Sequence, residues 1–124
     1  MHGLSLTKAL EFLQAAELCL ERGYYNSTAN RSYYAMFHAA AAALETVGLG
    51  QEAWSHGGLQ STFSVELTKR RKVYHNRLAK YLYDSHRLRL QADYGQENVS
   101  RRQAQQTLDW AREFLEDVEK VIDK

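Results

Sequence analysis

A chain of 124 residues without a single proline lacks the strongest helix breaker, so its amphipathic segments are expected to run as long, uninterrupted helices. β-branched runs are scarce, which disfavours sheets. Glycine supplies most of the punctuation, at Gly23, Gly48, Gly50, Gly57, Gly58 and Gly95. Apolar spacing between these points predicts five helical segments in an all-α fold: a bundle of four long helices plus one short helix, in one domain over residues 1–124.

The first segment runs from about Ser5 to Arg22, with Leu6, Leu10, Leu13 and Leu20 on its apolar face, and Gly23 ends it. The second starts near Asn26 or Ser27, both good N-caps, and reaches about Val47. Apolar residues occur nearly all round it, the pattern of a helix packed on more than one side. A loop through Trp54–Gly58 follows, then a short helix from Leu59 to Thr68. The basic run Lys69-Arg70-Arg71-Lys72 reads as a turn, and a fourth helix covers about Tyr74 to Gln91 before Asp93-Tyr94-Gly95. The last helix has the clearest start: Ser100 and Gln103 have capping-box spacing, with Val99 placed to staple against Ala104.

The formal charge of +1 conceals a strong segregation, because residues 69–102 hold ten basic and three acidic side chains. Such a block either binds phosphates or is simply a solvated surface. Cys19 is the only cysteine, which excludes an internal disulfide and suits a small buried thiol. Met1–Leu6 has no basic, apolar leader pattern, and no apolar run nears the ~20 residues a membrane span requires. A cytoplasmic location is expected, with no membrane contact. The histidines lack the Glu-x-x-His or cysteine spacing of di-iron and zinc sites, and Gly57-Gly58 lacks the lysine of a phosphate loop. No metal and no cofactor is expected.

One stretch carries chemistry. Arg31 and His38 are seven residues apart, which on a helix places them on one face about 10.5 Å apart along the axis. Tyr34 lies between them, and Asn30 one step aside. No carboxylate stands three or four residues from Arg31 on this helix, so it either meets an acid from another segment, such as Glu17 or Asp93, or stays open to anions. A guanidinium suits phosphate oxygens, and an imidazole beside a fixed positive charge should stay neutral and act as a base. Together they suit an RNA phosphodiester and the proton of its 2′-hydroxyl. Attack and departure want a base and an acid, and a twofold dimer would bring two His38 side chains together. A structural Arg–carboxylate pair and a core histidine would produce the same row.

The segment Asn30-Arg31-Ser32-Tyr33-Tyr34-Ala35-Met36-Phe37-His38-Ala39-Ala40 resembles the signature of HEPN-domain proteins, most closely a small stand-alone branch with an N-R-x-Y-Y-A-x-F-H-A-A core. Gly23-Tyr24, Ser55-His56-Gly57 and Arg89-x-x-Ala92-Asp93-Tyr94 agree in order, so the similarity covers nearly the whole chain. The resemblance implies an up-and-down bundle that dimerises. It also implies a metal-independent endoribonuclease of toxin type, with Arg31 and His38 as catalytic residues of an R-x(4–6)-H motif at its longest spacing. The partner it implies is a nucleotidyltransferase-type antitoxin. Ser32 stands where nuclease members often carry a more strongly polar residue. A non-catalytic HEPN module that binds a nucleotidyltransferase or a nucleotide is the alternative, and a helical dimer without nucleic-acid contact a third reading.

Asn30, Ser32, Tyr34, His56 and Asp93 complete the candidate set as substrate-binding or supporting residues. His56 would reach a cleft from its loop, unless it only packs there. Asp93 would orient Arg31 or cap a helix. His75 and His86 are expected on the surface of the basic helix, and the tyrosines either stack bases or fill the core.

Overall fold

The computed structural model describes residues 3–123. Met1 and His2, part of the segment in which no leader is expected, lie outside the described residues, as does Lys124. Five helices follow in order: α1 (Gly3–Glu21), α2 (Tyr25–Glu45), α3 (His56–Thr62), α4 (Asn76–Tyr94) and α5 (Arg101–Ile122), with no strand among the described residues. The fold is an all-helical bundle of four long helices and a short one. Among the described residues no helix is long and apolar enough to cross a membrane.

α2 is central, packing against α1, α4 and α5 and touching α3. Its inward residues Tyr33, Met36, Ala39, Ala40, Ala43 and Leu44 have no exposed surface. They join Leu78 and Leu82 of α4 and Leu115 and Val118 of α5 in the main core. Each leucine-sized side chain sealed there contributes about 1.5–3 kcal/mol of apolar transfer. Three helices can approach α2 closely because alanine supplies most of its inner surface.

Helix ends follow local chemistry. Gly23 and Gly48, at φ 79° and 78°, take the left-handed conformation that closes α1 and α2. Tyr24 N–H returns to Cys19 O at 2.8 Å and Leu49 N–H to Leu44 O at 3.0 Å. The capping box of α5 is formed by Ser100 and Gln103, and Val99 packs on Ala104.

Several boundaries depart from the sequence reading. α2 starts at Tyr25 with no side-chain cap. Asn26 instead accepts a hydrogen bond from Val99 N–H at 2.8 Å and donates to Asn98 at 3.1 Å, tethering the loop between α4 and α5. The short helix begins three residues before Leu59, because Ser55 Oγ accepts from Gly58 N–H at 3.0 Å and caps a turn that contains both glycines. It does not stop at Thr68 either: α3 continues as a π-helical segment, Phe63–Arg70. Lys69 and Arg70 are therefore helical, and the turn is made by Arg71 and Lys72, the latter at φ 54°. α4 is capped by His75, whose Nδ1 accepts from Arg77 N–H at 3.0 Å, and runs on through Asp93 and Tyr94.

The basic block is about half compensated: Lys69, Lys72, Arg87, Arg101 and Arg102 are exposed and outside the ion pairs of the described residues, while the other five cations are paired. Arg70 and Arg71 pair with Glu66, Lys80 with Asp84 and Arg89 with Asp93, while Arg77 reaches Glu113 and Asp117 on α5. The acid-rich last helix supplies part of the compensation that the local count leaves out.

Candidate functional site

α2 turns outward at its N-terminal half, where Asn30, Arg31, Tyr34, Phe37 and His38 are all partly exposed. Arg31 Nη1 donates to Asn30 Oδ1 at 2.6 Å, and Asn30 Nδ2 donates to Asp93 Oδ2 at 3.0 Å. Asp93 in turn holds Arg89, one turn earlier on α4, with Nε at 2.9 Å. Of the two acids open to Arg31 from the sequence, Glu17 is taken by Arg112 at 3.0 Å and Asp93 reaches Arg31 only through Asn30. Among the described residues Arg31 has no carboxylate within ion-pair distance.

Arg89 links this chain to the rest of the face. Its guanidinium carbon lies 5.3 Å from the Tyr34 ring centre and 5.6 Å from that of Tyr94, so the cation sits between two phenols. The Tyr34 ring meets Phe12 of α1 at 5.8 Å and Phe37 at 6.0 Å.

His38 stacks on Phe12, at 5.4 Å with ring planes 14° apart, and meets the edge of Phe37 at 5.5 Å. No described residue hydrogen-bonds either ring nitrogen, and neither nitrogen is a sealed polar atom without a partner. Burial lowers its pKa and Lys8 of α1 lowers it further, so the ring is neutral at pH 7. The direction agrees with the sequence argument, but the cation concerned is Lys8 rather than Arg31. Lys8 comes from a different helix and follows burial in importance.

His56 enters from the first turn of α3. Its ring lies 5.4 Å from Phe37 and 6.0 Å from Tyr34, and its Nδ1 is 2.6 Å from the Tyr33 hydroxyl. His86, expected on the surface, is instead half-buried, stacked at 4.9 Å on His56 and at 5.0 Å on Tyr33. The reason is its register: it follows the buried Leu82 and Ser85 on the inward side of α4. His75 is exposed, as expected.

The predicted residues thus fall into groups. Asn30, Arg31 and Asp93 form one hydrogen-bonded chain, which Arg89 joins to Tyr34, while His56 and His38 approach the same face through Phe37 and Tyr34. Ser32 is not part of it: the residue has no exposed surface, and its Oγ is buried without a partner. One helical step from Arg31 turns Ser32 inward, where it cannot meet a ligand of this protomer's face.

Sequence reasoning left Arg89, His86, Tyr33, Phe37, Phe12 and Lys8 out of the candidate set. For Arg89 a signal was present, since Asp93 follows it by four residues, the spacing of an intrahelical ion pair. For the contacts between helices no local signal exists.

With this geometry in hand, comparison with known proteins is informative. Over 113 residues the chain is 31% identical to "UPF0332 protein glr0978" of Gloeobacter violaceus, covering 90% of this chain and 87% of that protein. It is 28% identical over 117 residues to "Putative toxin MJ0605" of Methanocaldococcus jannaschii, covering 92% of this chain and 83% of that one. The HEPN domain matches residues 3–121, so the match takes in α1 to α4, all but the last residue of α5 and every residue of the face described above, and the chain belongs to the HEPN-domain family.

Proposed function

We propose that this chain is a toxin-like HEPN endoribonuclease that cleaves RNA phosphodiesters without a metal, at a cleft between two copies. The observation that carries the reading is the state of Arg31: a half-exposed guanidinium with no carboxylate partner among the described residues, on the same helix face as a neutral imidazole. A cation so placed is available to an anion from outside.

In the proposed reaction Arg31 holds the non-bridging oxygens of the scissile phosphate. His38 of one copy takes the 2′-hydroxyl proton as the 2′-oxygen attacks phosphorus. The bond from phosphorus to the 5′-oxygen breaks, and His38 of the other copy, neutral in the free protein but protonated once the negative phosphate lies beside it, gives its proton to that oxygen. The products are a 2′,3′-cyclic phosphate and a free 5′-hydroxyl. The relative named "Putative toxin MJ0605" supports a toxin role here; a nucleotidyltransferase-type antitoxin as partner and the cytoplasm as the location are part of the same proposal.

One observation favours the alternative, a non-catalytic HEPN module that binds a nucleotidyltransferase or a nucleotide. The polar residue after the arginine, Ser32, is sealed in the core and offers the cleft nothing.

Cleavage of RNA in the presence of EDTA decides between them. Wild type is expected to cut, and Arg31→Ala and His38→Ala each to lose about 10²–10⁴-fold in rate. Activity that survives both substitutions removes the assigned roles. A folded, inert wild type that binds a nucleotidyltransferase tightly decides for the module.

A further inference from the structure

The proposed reaction makes no use of the cluster formed by Tyr33, His56 and His86. Its two imidazoles stack with their planes 21° apart, and the Tyr33 ring closes the stack from α2. Burial pushes the Tyr33 phenol up to about 12, so it keeps its proton throughout the range in which imidazoles titrate. A phenol that keeps its proton can donate to His56 Nδ1, 2.6 Å away, and in that tautomer the neutral ring carries its own hydrogen on Nε2. Among the described residues no group pairs with that Nε2 or with either nitrogen of His86, and none of the three is a sealed orphan. A purely structural histidine pair would be expected to spend its N–H groups on the backbone or on a carboxylate.

The charge around the cluster points the same way. Arg89, whose side chain is 13% exposed, adds to burial in holding both pKa values down, directly after burial for His56 and after burial and His56 for His86. Tyr33 and Tyr34 face His56 from α2. The one carboxylate of the neighbourhood, Asp93, serves both Arg89 and Asn30, and Arg31 beyond Asn30 has none. Two guanidiniums stand against one acid, which pairs with Arg89 alone, leaving positive charge in excess before either imidazole takes up a proton. Unspent N–H donors beside surplus positive charge are complementary to an anion. Phe37 touches His38 on one side and His56 on the other, so the cluster adjoins the face that carries Arg31 and His38.

We propose that His56 and His86 form a second phosphate subsite, holding the RNA phosphate that flanks the one at Arg31 and His38. The identity of the strand rests on the ribonuclease reading; the anion site does not. His56, its Nδ1 occupied by Tyr33, acts as a neutral donor through Nε2. His86, with both nitrogens free, takes up a proton as the phosphate arrives.

The probe is a 2′-O-methyl RNA oligonucleotide, which has no 2′-hydroxyl to attack with and so reports binding alone. Proton NMR of the imidazole ring hydrogens follows each histidine through pH with and without it. The subsite predicts that the His86 pKa rises on binding, and that His86→Phe, which keeps a flat ring in the stack, weakens binding at least about tenfold. Should that variant fail to fold, the titration of wild type still decides. An oligonucleotide that binds without moving His86, or does not bind at all, overturns the subsite. A moved His86 in a protein that cuts no RNA keeps the subsite and sinks the nuclease. RNA cleavage with an unmoved His86 does the reverse.

Discussion

Between Ala39 and Leu44, α2 shows its neighbours five alanines and a leucine, of which only Ala41 keeps any exposure. Between Asn30 and His38 the same helix carries an amide, a guanidinium, two phenols and an imidazole. The first stretch asks nothing of its surroundings except shape. Its alanines hold no polar atom to satisfy, and α1, α4 and α5 close over them. The second stretch is satisfied mostly by side chains from elsewhere: Asp93 for Asn30, Arg89 for Tyr34, Phe12 for His38 and His56 for Tyr33. A helix can thus be a core element at one end and a reactive surface at the other without changing its backbone. The difference lies in whether its long side chains find partners inside the protomer. Arg31 is the one cation of the polar half whose only described partner is its neutral neighbour.

The largest effect should come from carrying the chemistry of one half into the other. Ala43→Asp puts a carboxylate where no surface is exposed and no cation is within reach on α2. Burying an unpaired charge costs several kcal/mol, against a total stability of roughly 5–15 kcal/mol for a domain of this kind. The variant is expected to lose its cooperative melt by circular dichroism. A transition near that of wild type would mean that the alanine seam is looser than its burial implies.

How far this division was legible in the sequence varies along the chain. α5 could be placed to the residue because Ser100 and Gln103 satisfy each other locally, and a local pattern is all that a sequence displays directly. α3 was misplaced because a glycine pair ordinarily breaks helices. Here the Ser55 cap outweighs it, in a first turn whose N–H groups need no helical acceptor. The shared face of Arg31, Tyr34 and His38 followed from helical periodicity. The contribution of α4 did not, because His86 meets Tyr33 across 52 intervening positions of sequence, and a histidine on a basic helix looks solvated until its neighbours are known. Ser32 was misjudged for the opposite reason: proximity to Arg31 in sequence is about 100° of rotation on a helix, enough to turn a side chain from cleft to core.

A smaller effect, confined to the polar half and its partners, should appear with pH. Burial, with a nearby cation or imidazole, lowers the pKa of His38, His56 and His86 in the folded protein. As pH falls below about 6.5 the unfolded chain therefore binds protons that the folded chain still refuses, which favours unfolding. Stability is expected to be greatest above that value, to fall on acidification, and to level off once the lower folded-state pKa values are passed. Urea midpoints from pH 7.5 down to 5 measure it. A midpoint that holds steady or rises over that range would mean that these rings are as solvated as free histidine.

The smallest effect on stability, and the most telling, belongs to Arg31→Met. No acid loses a partner in this variant, so its thermal midpoint without RNA should match that of wild type, within about 0.5 kcal/mol of stability. The decisive measurement is that midpoint with and without a 2′-O-methyl RNA oligonucleotide. The open-cation account predicts equal midpoints in its absence, and a rise on adding it in wild type that is lost in the variant. A variant that is already several kcal/mol less stable on its own, as when a buried ion pair is broken, or one that rises with RNA as wild type does, would contradict it.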